Sequence, residues 1–352
     1  MSDKLSKEEL LAKAHKPAED AMKLHPFYRG KIKVLPKCAI RDVDDFAIWY
    51  TPGVAEPCMD IHKNPDTVFE HTNKANMVAV ITDGTRVLGL GDIGPEASLP
   101  VMEGKCILFK YLGGVDAFPL ALDTKDPDEF IRTVKLLQPT FGGVNLEDIA
   151  KPKCFRILDT LRKECRIPVW HDDQQGTAAV TVAGLINALK IVDKPMDKVR
   201  VVMNGAGASN ISICRLLLSA GVDGDKMVLF DRQGGIARNR PGLEQSEYAK
   251  YEMAVKTNPH NYDGDIAEAM EGADVLISLS ASGPDVVKKE WIEKMAKDSI
   301  VFVCANQIPE IWPWEAKDAG ARVVATGRPD FPTHVTKSLR FPATFRAPLA
   351  LL

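Results

Sequence analysis

The stretch VRVVMNGAGASNISICRLLLSAGVDGDKMVLFD, residues 199–231, decides the fold. Residues 198–203 are rich in β-branched side chains and read as a strand, residues 211–220 as a helix, and residues 227–230 as a second strand that ends on Asp231. Between the first strand and the helix lie Gly205, Gly207, Ala208 and Ser209, a turn whose backbone amides and following helix start can cradle a pyrophosphate. Asp231 stands about 20 residues past that turn, where an acid accepts from a ribose hydroxyl, while the adjacent Arg232 can take a 2′-phosphate instead. Asn210 departs from the pattern, because a third small residue there lets helix and strand pack closely. Further strands at residues 275–279 and 300–304 close on the polar loops SASG and ANQ, as strand ends do at a ligand crevice. A helix is predicted over residues 178–191. The second half of the chain is therefore predicted as a Rossmann-like doubly wound parallel sheet.

Just upstream, FGGVNLEDI (141–149) and IPVWHDDQQGT (167–177) carry Glu147, Asp148, Asp172 and Asp173, two adjacent acid pairs that each follow an apolar run. On a solvated loop such pairs are ordinary acidic turns. Beside Val144, Leu146 and residues 167–170, however, at least one carboxylate of each pair points inward, where an unpaired charge is costly. A divalent cation resolves that cost. Three carboxylate oxygens with positions left over for water or substrate suit Mg²⁺ or Mn²⁺, and the single His171 with no neighbouring Cys argues against zinc.

Residues 6–15 and 17–24 have helical spacing until Pro26 interrupts it, and an exposed amphipathic start of this kind packs on a neighbour or a partner subunit. Pro52, Gly53 and Pro57 force a turn directly after Tyr50 and hold it. Strands are predicted at residues 77–81 and 86–90. Gly89, Gly91 and Gly94 satisfy GxGxxG literally, but Pro95, Pro100 and Gly104 leave no room for a helix immediately after them, so no dinucleotide site is assigned there. Lys105 is expected near the start of a helix at residues 106–111, either snorkelling to the surface or desolvated, with a lowered pKa, as a base. A strand at residues 115–122 and a helix at residues 127–137 lead into the acidic region. The domain boundary is expected near residue 160, giving domains 1–160 and 161–352.

The 352 residues suffice for two domains with full cores, and 26% charged with 45% hydrophobic residues is ordinary globular composition. A net charge of -3 gives no reason to expect nucleic acid or an anionic membrane as partner. The seven cysteines show no CxxC or repeated spacing, which favours buried reduced thiols. The N-terminal 25 residues have no apolar core, so neither signal peptide nor transmembrane helix is expected there, and a cytoplasmic location is.

Taken together, YTPGVAEPC, ITDGTRVLGLGDIGP, PVMEGK, PTFGGVNLEDI, PVWHDDQQGTA, NALK, NGAGA, GADVLI, ANQIPEI and ATGR resemble malic enzyme, in order, from Tyr50 onward. The resemblance implies an N-terminal α/β malic-enzyme domain before the Rossmann-like NAD(P)-binding domain. It also implies oxidative decarboxylation of L-malate to pyruvate and CO₂ with NAD or NADP and Mg²⁺ or Mn²⁺. By position, Glu147, Asp148 and Asp173 would hold the cation with Asp172 beside them. Lys105 would take the hydroxyl proton, Tyr50 would protonate the enol carbon, and Arg86 and Asn306 would hold the substrate carboxylate. The chain departs from the family pattern where Gln307 replaces a proline and where Thr336 and Lys337 replace paired asparagines, the second of which normally touches malate. The expected assembly is a homodimer or higher homo-oligomer. Two other readings use the same motifs: a malolactic-type decarboxylase that releases lactate, and a nucleotide-binding paralogue without turnover.

Overall fold

A computed structural model describes residues 7–305, 308–327 and 331, with side chains from Lys16 onward. The strands are β1 (Met77–Thr82), β2 (Asp116–Ala121), β3 (Gly143–Leu146), β4 (Val169–His171), β5 (Val201–Asn204), β6 (Met227–Asp231), β7 (Gly234–Gly235), β8 (Val275–Ser278), β9 (Ile300–Val303) and β10 (Val323–Thr326). They form a parallel four-stranded sheet of order β2-β1-β3-β4 and a six-stranded sheet of order β10-β9-β8-β5-β6-β7, parallel except for the short edge strand β7. The helices that position the site are α1 (Lys7–Tyr28), α2 (Asp45–Trp49), α3 (Pro95–Gly113), α4 (Pro127–Leu137), α5 (Lys153–Glu164), α6 (Thr177–Val192) and α7 (Ala208–Ser219).

Strand alternation builds the first sheet's two cores. Val78 and Val80 of β1 face Met102, Cys106 and Phe109 of α3, while Ala79 and Ile81 face the opposite way with Val144, Leu146 and Val169. That second core is continuous with the other sheet through Val182, Leu185 and Leu189 of α6, reaching Val201, Met203, Ile277 and Phe302. The outer face of the second sheet has its own core around Val202, Phe230, Leu276 and Val301. The segment Asp172–Val192 is long and apolar enough to cross a membrane, but α6 spends its apolar face between the two sheets. The first sheet takes its last strand, β4, from residues 169–171, beyond the boundary expected near residue 160. All seven cysteines are free thiols, four of them buried.

Three local expectations are corrected. α1 continues through Pro17 and Pro26 to Tyr28 instead of stopping at Pro26. Residues 86–90 form no strand, only a turn closed by an isolated Val87–Gly91 bridge, because Leu88 and Gly91 take positive φ and reverse the chain. Finally, α3 does begin directly after Gly94. Pro95 occupies the first helical position, where a missing N–H costs nothing, and burial of Ser98, Met102, Cys106 and Phe109 along one face outweighs Pro100 and Gly104. The glycines before α3 still fail as a dinucleotide turn, because no strand leads into them.

Candidate active site

Both acid pairs lie where parallel strands end. β3 is followed by Glu147 and Asp148, and β4 by Asp172 and Asp173, so the neighbouring strands deliver all four carboxylates to one rim of the sheet. Glu147, Asp148 and Asp172 are buried. Glu147, Asp148 and Asp173 each turn one oxygen into a group whose atoms lie within 4.8 Å of one another. Unit charges at that spacing repel by about 3 kcal/mol per pair at an effective dielectric near 20. Largely buried, all-oxygen and mutually repelling, this donor set fits a hard divalent cation such as Mg²⁺ or Mn²⁺.

The surrounding backbone fixes the acids. Asp148 has φ 55°, a left-handed conformation that Asp tolerates better than most residues, and its N–H donates to Asp173 Oδ2 at 3.0 Å. Asp148 in turn accepts from Arg86 N through its carbonyl at 3.0 Å and from Leu88 N through Oδ1 at 3.3 Å. Asn145 Nδ2 donates to Glu147 Oε2 at 2.9 Å. Residues Asp172–Gly176 make a single π turn at the head of α6, a geometry common where a helix start serves a site. Gly176 is needed there, since a Cβ would stand 1.9 Å from Asp172 Oδ1.

Lys105 meets the acids from α3, with Nζ 2.7 Å from Asp172 Oδ2 and 3.2 Å from Glu147 Oε1. It stands in the middle of α3, not near a helix start as expected. Burial pushes its pKa down, but the carboxylates of Asp172, Glu147 and Asp173 more than reverse this, so the ammonium is held well above the usual lysine range. Of the two expectations for Lys105, the side chain is desolvated rather than snorkelling, and the acids beside it reverse the lowering that burial alone brings. Behind the site, Lys153 pairs with the buried Asp83 at 2.6 Å, and Thr85 Oγ1 donates to Asp83 while accepting from Ala150 N, which ties the loop after β1 to the loop after β3.

The other candidates are placed as follows. Arg86 reaches the acidic group through its main chain, while its side chain is exposed. Tyr50 caps α2 with its backbone pinned by Val54 N to Tyr50 O and Gly53 N to Ala47 O bonds, yet its side chain is 70% exposed and not part of the buried acidic group. Phe27, Val34, Val43, Phe46, Ile48 and Trp49 are likewise exposed. Asn306 and Lys337 lie outside the described residues.

In the second sheet the strand order reverses between β5 and β8, and the glycine turn sits there. Gly205 has φ 102°, and a Cβ on it would lie 2.7 Å from Leu279 O, so only glycine fits. Gly207 caps α7 with open space on its side-chain face, followed by Ala208 and Ser209. Asn210 is no defect in this turn. Its buried amide donates to Asn204 O at 2.9 Å and Gly205 O at 2.8 Å, fastening the end of β5 in place of close packing. Asp231 Oδ2 accepts from both Lys250 Nζ and Arg240 Nη1 at 2.8 Å, and Oδ1 from Gln233 N at 3.0 Å. Burial pushes this carboxyl up, but those donors outweigh it and hold it below the usual range. Arg232 is exposed. Lys250 and Arg240 carried no motif signal, since their partner lies 19 and 9 residues away along the chain. The buried Glu310 was also missed, although a Glu inside the apolar run IPEIW was a usable sign.

Residues 29–162 match the family profile "Malic enzyme, N-terminal domain" and residues 174–337 match "Malic enzyme, NAD binding domain". The chain is 53% identical over 332 residues to the bifunctional malic/malolactic enzyme of Bacillus subtilis, covering 94% of this chain and 79% of that protein. It is 49% identical to the NAD-dependent malic enzyme of Geobacillus stearothermophilus, covering 91% of this chain and 65% of the relative. It is 42% identical to the NADP-dependent malic enzyme of Salmonella typhimurium, of which it spans 43% while 94% of its own length is covered. Among solved structures, the Entamoeba histolytica malic enzyme superposes with a TM-score of 0.93 at 49% identity, over 99% of this chain and 74% of that one.

Proposed function

Because the chain belongs to the malic enzyme family, we propose that it oxidatively decarboxylates L-malate to pyruvate and CO₂ with reduction of NAD or NADP. The observation that carries this reading is the group formed by the buried Glu147 and Asp148 with the half-buried Asp173, set between the Lys105 ammonium and the glycine turn. These three acids would hold Mg²⁺ or Mn²⁺. When bound, that cation supplies Lewis acidity at the malate C2 oxygen and positive charge that offsets the carboxylates around Lys105, and the nicotinamide supplies the hydride acceptor.

The chain's own residues do the rest. Lys105, held by Asp172, takes the C2 hydroxyl proton, and Tyr50 returns a proton to the enol carbon. Arg86, Asn306 and Lys337 hold the substrate carboxylates. Gly205, Gly207, Ala208 and Ser209 receive the pyrophosphate, with Asp231 and Arg232 at the ribose end. A second copy of the chain covers the exposed apolar side chains Phe46, Ile48 and Trp49 of α2, giving a homodimer or higher homo-oligomer that works in the cytoplasm on a small-molecule substrate.

A second reading, release of lactate with the cofactor retained, is supported by the Bacillus relative, whose name is that of a bifunctional malic/malolactic enzyme. One assay separates the two: L-malate with Mn²⁺ and each cofactor, following reduced cofactor, pyruvate and lactate. Stoichiometric pyruvate and reduced cofactor are expected, and turnover that persists in excess chelator refutes the metal-dependent mechanism.

A further inference from the structure

We propose that Ser209 is a positioning residue that couples cation binding to cofactor binding, by fastening Asp173 to the dinucleotide turn. Ser209 Oγ donates to the backbone carbonyl of Asp173 at 2.9 Å. This bond joins the first turn of α7 to the residue whose side chain closes the acidic group, and the inference rests on the assignment of that group to a cation. Asp173 is gripped at two points. Its carbonyl is held from α7, and its Oδ2 is held by Asp148 N at 3.0 Å, so a shift of the α7 start is transmitted to the carboxylate as a change of reach.

Neighbouring bonds make the link stiff. One helical turn on from Ser209, on the same face of α7, Ser212 Oγ lies 3.5 Å from Gln174 Oε1, while Gln174 Nε2 donates to Cys154 O at 3.1 Å. Between the two serines, Asn210 locks the end of β5 to the same helix start. The contacts at Ser209 and Ser212 therefore tie the π turn Asp172–Gly176 to α7, and Asn210 ties α7 to the glycine turn. A pyrophosphate that orders the glycine turn also orders the Ser209 hydroxyl, and with it the Asp173 main chain. The linkage is reciprocal: whatever factor the cofactor adds to cation affinity, the cation adds to cofactor affinity.

The test measures Mn²⁺ dissociation constants by calorimetry, without malate and hence without turnover, with and without saturating NAD⁺ or NADP⁺. In the wild type the cofactor is expected to tighten Mn²⁺ by about three- to tenfold, the range one well-formed hydrogen bond can transmit. In Ser209→Ala the ratio with and without cofactor falls to about one at a cofactor concentration shown to saturate that variant. Ser209→Thr, which keeps the hydroxyl, restores the ratio. A wild-type ratio of one, or an undiminished ratio in Ser209→Ala, overturns the proposal. Asp173→Ala serves as the separate control: if it binds Mn²⁺ as tightly as the wild type, the cation assignment itself fails.

Discussion

Replacing Glu310 by Gln will change the pH dependence of stability in a direction the structure fixes. The Glu310 side chain is fully buried and joins the ends of two strands, with Oε1 accepting from Ser280 N at 3.2 Å and Oε2 from Ala305 N at 3.1 Å. Burial raises its pKa from 4.5 to about 7, against the lowering effect of those backbone donors and of Ser278. A carboxyl raised in this way binds its proton more tightly in the folded than in the unfolded chain. Its contribution is fully present below pH 4.5, declines as pH rises through that window, and is lost above about pH 7. The interval between the two values corresponds to about 3 kcal/mol.

Glutamine keeps the shape but cannot titrate. It loses about 1 kcal/mol at every pH, because its amide group faces one backbone N–H donor, and it escapes the pH-dependent loss. Relative to the wild type, Glu310→Gln is thus expected to be less stable by about 1 kcal/mol at pH 4.5 and more stable by about 2 kcal/mol at pH 8. Urea unfolding at a series of pH values reads the difference, with fluorescence from the buried Trp312, stacked on Trp314 with ring centroids 5.0 Å apart, as a local probe. All other titrating groups are common to both proteins and cancel in the difference. A difference that stays constant within about 0.5 kcal/mol across that range refutes the reasoning.

The remaining expectations concern the site and its surroundings. Asp173→Ala should lose Mn²⁺-dependent turnover while its circular dichroism stays that of the wild type, which metal titration and spectra check together. Lys105→Ala should suppress malate oxidation, whereas Tyr50→Phe should chiefly slow exchange of pyruvate C3 protons with solvent deuterium; unchanged exchange removes Tyr50 from the acid role. Asn210→Ala removes two buried hydrogen bonds to Asn204 O and Gly205 O and should cost about 1–3 kcal/mol, together with a raised KM for the cofactor. Trp49→Asp puts a charge among the exposed apolar side chains of α2 and should shift the protein toward monomer in light scattering; a wild type that is already monomeric refutes the oligomer.

What the sequence disclosed and what it withheld follow one physical division. Adjacent like charges after apolar runs are a local conflict, and the conflict is legible in the sequence at Glu147–Asp148 and Asp172–Asp173. The β5–α7–β6 unit was legible for the same reason, since a glycine at φ 102° and an acid at a strand end are demands of the local backbone. Errors arose where burial overruled a local penalty. Pro100 and Gly104 together cost α3 a few kcal/mol at most, whereas Met102 and Phe109 each recover about 1.5–3 kcal/mol by packing on β1 with Cys106 adding to them, so the helix forms. Asn210 shows the converse. A helix start that needs a small residue for close approach can instead be held by an amide that reaches back to the carbonyls the strand leaves over, and a rule counting only side-chain size misses that solution. Contacts set by packing, such as Ser209 with Asp173 where the two sheets meet and Lys250 with Asp231 within the second half, had no sequence signal because their partners are distant along the chain. The structure therefore adds most where the cofactor turn meets the acids.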